Sequence, residues 1–171
     1  MYISRVKLYN WKNFRECDVR LSERCFVIGA NATGKSNFLD VFRFLRDIVK
    51  TGGGLQFAVD TRGGLKKIRC LAARQKTDVC VEVDISENGK EAPKWRYSLD
   101  LVNSGGGIQN VTALVEREEV YNYESNETVL LRDSSFKDDD AETKKYTHLE
   151  QPAANGKFRE IKDVFQATEY L

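Results

Sequence analysis

The chain has 171 residues, enough for one packed domain or one lobe of a larger one; a domain of this size buries roughly 70% of the surface its unfolded chain exposes. With 41% hydrophobic and 31% charged residues and only 2 prolines it is not a disordered chain, and no apolar run approaches the ~20 residues needed to span a bilayer. Lys+Arg 27 against Asp+Glu 26 leaves a net charge of +1, so bulk charge gives no support for a nucleic-acid partner. The opening Met1–Phe14 lacks the apolar core and small-residue cleavage site of a signal peptide, which makes the cytoplasm the expected compartment and leaves no membrane partner. Cys17, Cys25, Cys70 and Cys80 show no zinc-ligand spacing and are joined by a single histidine, His148, so buried, unbridged thiols are expected.

In chain order, residues 2–8 read as a strand near a surface and Asn10–Arg15 as a turn. Cys17–Leu21 alternates and reads as a second strand. Cys25-Phe-Val-Ile28 is a short continuous apolar run, the pattern of a strand buried on both faces. Residues 36–50 carry Phe38, Val41, Phe42, Leu45, Ile48 and Val49 at helical spacing, closed by Thr51-Gly-Gly-Gly54. Gly54–Asp60 is a short helix candidate. From residue 78 the period becomes two: Val79–Ile85, Trp95–Val102, Ile108–Val120 and Thr128–Leu131 read as an antiparallel meander, with Glu87–Lys90 as one of its turns. Ser134–Lys145 reads as a charged loop and Phe158–Tyr170 as an amphipathic helix. The expected organisation is one lobe: 1–77 as the P-loop part, 78–133 as the β section, 134–157 as the loop and 158–171 as the closing helix.

One motif carries chemistry. Gly29-Ala30-Asn31-Ala32-Thr33-Gly34-Lys35-Ser36 matches G-x-x-x-x-G-K-[ST] in full, between an apolar run and an amphipathic helix. Its glycines allow close backbone approach, and the loop amides and helix start direct positive charge at phosphate oxygens. Lys35 is placed to reach the β- and γ-phosphates and Ser36 to hold Mg²⁺. The fold class implied is α/β, a P-loop NTPase, with ATP and Mg²⁺ as ligands and Lys35 as the catalytic candidate.

The opening Ile3–Phe14, two strands, then Ile28–Asp40 with the loop, resembles the start of RecF/SMC-like ATPases of the ABC class. The later strands and Gly54…Arg62-Gly-Gly64 resemble the prokaryotic AAA-type branch of that group, related to OLD-family proteins. The resemblance is specific over residues 1–50 and loose over 51–131. It implies an ABC-ATPase-like N-terminal lobe, Asn31 beside the γ-phosphate, Lys12 approaching the phosphates or nucleoside, and Asn37 at the start of the phosphate-binding helix. Ala32 departs from the glycine usual there. In such ATPases hydrolysis also needs a Walker B strand ending in paired acids and a signature sequence. Val79–Asp84 alternates rather than forming a buried run, and Leu114-Val-Glu116 is too short. The resemblance therefore implies that this chain binds ATP, and that turnover requires a C-terminal lobe and a second head, in work such as DNA maintenance or phage defence. The alternatives are a non-hydrolysing nucleotide-dependent interaction module and, with less in its favour, a small nucleotide kinase. No N/T-K-x-D tetrapeptide supports a GTPase. Lys66, Lys67, Arg69, Arg74 and Lys76 form a basic cluster best read as a solvated face.

Overall fold

The computed structural model describes residues 1–70, 78–104, 112–133 and 140–168. Six strands form one antiparallel sheet in the order β2-β1-β3-β4-β5-β6, made of β1 (Tyr2–Trp11), β2 (Phe14–Arg20), β3 (Val79–Ser86), β4 (Pro93–Asn103), β5 (Ala113–Asn122) and β6 (Glu127–Arg132). Period-two alternation sends Val6 and Leu8, Val79–Val83, and Tyr97–Leu101 at every second position into a single core, as a half-covered antiparallel sheet requires. Four α-helices, α1 (Lys35–Val49), α2 (Leu55–Asp60), α3 (Leu65–Ile68) and α4 (Arg159–Gln166), and a short 3-10 helix at Thr143–Lys145 complete the described fold. α1 packs against α2 and α4, and Phe165 meets Tyr97 of β4 edge-on at 5.8 Å between centroids.

Several sequence expectations change in detail. The two N-terminal strands run longer than expected, so the turn between them shrinks to Lys12-Asn13; Trp11 is strand, fully buried, and edge-on to Phe44 at 5.2 Å. Because β1 pairs with β3 along its length, the N-terminal strands belong to the same sheet as the later meander. The buried face of α1 uses Phe44, whereas Phe42 is only partly buried. The expected strand at 108–120 is described only from Ala113, and residues 108–111 lie outside the described residues. The closing helix is shorter than expected, and residues 169–171 also lie outside them.

Cys25–Ile28 is the main correction. It is not a buried strand: among the described residues it pairs with no strand, and Phe26 and Ile28 are 85% and 90% exposed. A strand is stabilised only by a neighbour that takes its backbone hydrogen bonds, and no described strand lies beside this one. None of the four cysteines forms a disulfide. Cys70 is buried and Cys17 and Cys80 half-buried as thiols, but Cys25 is exposed with its segment, a second correction.

The far end of the sheet is closed by a buried carboxylate. A bulge between Asp100/Leu101 and Arg117/Val115 shifts the phase of β5 by one residue, so Glu118 faces inward and is fully buried. It accepts hydrogen bonds from Tyr97 Oη at 3.0 Å and from the backbone N–H groups of His148 (2.7 Å) and Leu149 (3.1 Å). Glu150 fastens the same segment to α2 by accepting from Leu55 N at 2.9 Å. Gln56 donates to the carbonyls of Ala113 and Lys145.

Candidate functional site

The site is built where the β1–β2 turn meets the start of α1. Gly34, at φ 98, is the N-cap of α1 and offers no side-chain cap, and the first intrahelical bond runs from Phe38 N to Gly34 O at 2.9 Å. The N–H groups of Lys35, Ser36 and Asn37 therefore open the helix without intrahelical acceptors, and they carry the positive end of its dipole. Gly29 through Thr33 are exposed. The Lys35 ammonium folds back to donate to the carbonyls of Gly29 (2.6 Å) and Ala30 (2.5 Å), and Thr33 Oγ1 donates to Ala30 O at 2.9 Å. Lys35 is thus held by neutral carbonyls and, among the described residues, by no carboxylate. Ser36 lies exposed one residue into the helix.

Ala32 has φ 63. The left-handed region costs a residue with a Cβ roughly 1 kcal/mol or more, and glycine almost nothing. The departure from glycine noted in the sequence thus falls where glycine is the less strained choice.

Three successive side chains of the turn grip α1. Trp11 Nε1 donates to Asn37 O at 2.8 Å, Lys12 Nζ lies 3.5 Å from Asp40 Oδ2, and Asn37 Nδ2 donates to Asn13 Oδ1 at 2.8 Å. Lys12 therefore sits beside the phosphate-loop helix, but on Asp40, one turn beyond Ser36. The turn itself is fixed by Lys12 N donating to Ile68 O and Cys70 N to Asn10 O. Asp40 has a stronger partner in Arg62, whose Nε and Nη2 lie 3.0 Å from its two oxygens. Arg62 also reaches Asp47 at 3.0 Å and stacks on Phe44. Although burial opposes it, hydrogen bonds from Lys50 and Arg62 hold the Asp47 carboxyl below its ordinary value. Arg62 of the Arg62-Gly-Gly64 stretch is thus a staple binding α2 to α1.

The structure brings Gly29–Asn37 and Lys12 to one corner of the molecule. The sequence reading missed Asn13, in the middle of the same turn; its position two residues from a buried tryptophan was the available signal. Lys66 and Lys67 are exposed on α3 and Arg69 is half-buried, while Arg74 and Lys76 lie outside the described residues. A hollow of about 370 Å³ beside the motif is lined by Phe14, Phe26, Ile28, Gly34, Lys35 and Phe38 among others. A larger cleft of about 1160 Å³ lies on the outer sheet face, where Arg5 and Arg96 pair with Asp18 and Asp84. Its charges neutralise one another, and it is far along β1 from the motif. Among the described residues no cluster of three metal-ligating side chains occurs and no helix is long and apolar enough to cross a membrane. Of the acidic run at 138–140, only Asp140 is described; it closes a local turn by accepting from Thr143 N at 2.7 Å.

Residues 25–162 match a family model described as an AAA domain, putative AbiEii toxin, of a type IV toxin–antitoxin system. The chain belongs to that AAA-domain family. The match begins at the exposed apolar run, takes in the whole phosphate loop and extends into α4, so it covers the motif and strands β3 to β6, while β1 and β2 precede it. Membership makes the chain a P-loop NTPase of α/β fold and, by family, an ATPase. No curated protein matches the chain significantly.

Proposed function

We propose that the chain binds Mg·ATP through Gly29–Ser36 as the N-terminal lobe of a RecF/SMC-like, ABC-class ATPase. The observation that carries the reading is the juxtaposition of the Lys35 ammonium, held only by two loop carbonyls, with the uncapped start of α1. Both are ready to exchange neutral partners for phosphate oxygens. The donor set fits the metal too, since the exposed Ser36 hydroxyl is a hard oxygen ligand of the kind Mg²⁺ takes alongside nucleotide phosphates and water.

In this reading Lys35 neutralises the β- and γ-phosphates, the amides of residues 30–36 enclose them, and Ser36 would hold the metal. Asn31, in the exposed arc of the loop, approaches the γ-phosphate, and Lys12 reaches the nucleotide by leaving Asp40, which keeps Arg62. Mg²⁺, when bound, offsets charge between the phosphates. Phosphoryl transfer to water also requires a group that orients the water. Asp40, the acid one helical turn after Ser36, is held at both oxygens by Arg62, so it is not placed for that task. We therefore assign the task to a further lobe and a second head, and we read the exposed Phe26-Val-Ile28 run as the edge where further strands of the ATPase core pair. A setting in DNA maintenance or phage defence follows from the resemblance alone.

Calorimetry with Mg·ATP on the wild-type chain and Lys35→Ala tests the reading. Loss of a charge-assisted contact of ~1.5–3 kcal/mol weakens binding by about 10-fold or more. Equal affinity in the two proteins would overturn the phosphate-loop assignment. Steady-state phosphate release by the chain alone, abolished by Lys35→Ala, would overturn the need for a second lobe while leaving binding intact.

A further inference from the structure

Asn13 lies outside the phosphate-loop motif yet is placed directly against it. Its Oδ1 accepts from Asn37 Nδ2 at 2.8 Å, which fixes the amide and turns its nitrogen to the opposite end. A Cβ built on Gly34 would fall 2.5 Å from that nitrogen and 3.1 Å from Oδ1. The amide therefore lies directly over the last glycine of the loop, in space that only a glycine leaves open. Asn13 is exposed, and its Nδ2 donates to no acceptor among the described residues. Beside it lie the first-turn N–H groups of α1, which no side chain caps. The Trp11 Nε1 bond to Asn37 O and the backbone bond from Lys12 N to Ile68 O hold the turn in place, so the fold sets where this amide lies and Asn37 sets its orientation.

We propose that Asn13 is a phosphate-recognition residue. Its Nδ2 donates to a phosphate oxygen of the ligand at the start of α1, and Asn37 holds the amide in the donating orientation. A neutral amide suits this place because it can hydrogen-bond to Asn37 with one end and to an anion with the other. A carboxylate would serve Asn37 equally well and repel the anion. The inference rests on the phosphate-loop reading above and adds a side-chain donor from outside the motif.

That contrast supplies the test. Binding of inorganic tripolyphosphate and of Mg·ATP is measured for the wild-type chain, Asn13→Ala, Asn13→Asp, Asn37→Ala and Lys35→Ala, at low and high salt. Asn13→Ala is expected to weaken both ligands by about 5- to 10-fold, the loss of one hydrogen bond. Asn13→Asp is expected to weaken them further than Asn13→Ala, with the excess shrinking as salt screens the carboxylate. Asn37→Ala, which leaves the donor in place but unfixed, is expected to lose less than either. A residue that merely tied the turn to α1 would give the reverse order, with Asn13→Asp closer to wild type than Asn13→Ala, and that order overturns the proposal. Unfolding measured without ligand reports any structural loss separately. If Lys35→Ala abolishes binding while the Asn13 variants bind as wild type, this inference alone fails. If the wild-type chain binds neither ligand, the phosphate-loop reading fails and takes the inference with it.

Discussion

The helix α1 and the segment just ahead of it are neighbours in the chain and alike in apolar content, yet they have opposite fates. Phe38, Val41, Phe44 and Leu45 are between 0 and 7% exposed, whereas Phe26 and Ile28 are at 85 and 90%. The difference lies in the backbone. A helix satisfies its own N–H and C=O groups and needs only one apolar stripe to dock. A strand must borrow its hydrogen bonds from a neighbour, and its side chains are buried only when that neighbour brings a packed layer with it. The phosphate loop sits at the boundary between the two regions, one end anchored in the core through Trp11 and α1, the other joined to an apolar edge open to solvent.

The largest effect that sharpens this comparison comes from the anchored side. Phe44 is fully buried, packs edge-on against Trp11 and lies under the Arg62 guanidinium. Phe44→Ala is expected to destabilise the fold by about 3–5 kcal/mol, from lost burial and the cavity left behind, and denaturant unfolding measures it. A cost below about 1 kcal/mol would mean that α1 is not docked as described, and the contrast with the preceding segment would collapse.

The buried region carries a second mark that the exposed one lacks. Burial raises the Glu118 carboxyl from 4.5 to about 7, although the His148 and Leu149 N–H groups, Tyr97 and Arg132 favour its charged form. A carboxyl with a raised folded-state pKa binds its proton in the folded protein while the unfolded chain has released it. Its contribution to stability is therefore fully present below about pH 4.5 and is lost as pH rises toward 7. The shift corresponds to at most about 3 kcal/mol. Unfolding free energies measured between pH 5 and pH 8 are expected to fall with pH in the wild type and to show a flatter slope in Glu118→Gln. The substitution lowers stability at every pH, because an amide nitrogen cannot accept from Leu149 or His148, so the slope rather than the level decides. Equal slopes would remove Glu118 from the pH dependence.

What could be read from the sequence follows the same physics. The phosphate motif, α1 and the alternating strands β3 and β4 were legible because each rests on a local pattern: fixed spacing, period 3.6 or period two. Glu118 was not, because a bulge in β5 changes which residues face inward, and a bulge is set by the partner strand. Trp11 and Asn13 fall within the turn expected over Asn10–Arg15, but Lys12, at φ 53, lets the hairpin close in two residues, leaving Trp11 inside and Asn13 over the loop. Cys25–Ile28 carries the continuous apolar run that is the signature of a strand between two layers. The pattern describes what the segment is suited to, and burial depends on what lies beside it.

The smallest expected effect falls on that segment, and it is the most direct way to break the comparison. Ile28 immediately precedes the loop and contributes to the hollow shared with Phe14, Phe38 and Lys35, yet it is 90% exposed. Substitution of an exposed side chain away from caps and ion pairs usually changes stability by no more than about 0.5 kcal/mol. Ile28→Ser is therefore expected to unfold with the wild type while reducing self-association in sedimentation, since an unpaired apolar edge invites contact with another chain. Nucleotide binding should persist, because the donors of Lys35 and α1 do not depend on this side chain. A loss above about 1 kcal/mol in the monomer would show that the segment is packed in solution and that the two halves of the site are not opposites after all. Unchanged stability with unchanged association would leave the edge exposed but inert, and would count against reading it as the place where further strands of the ATPase core pair.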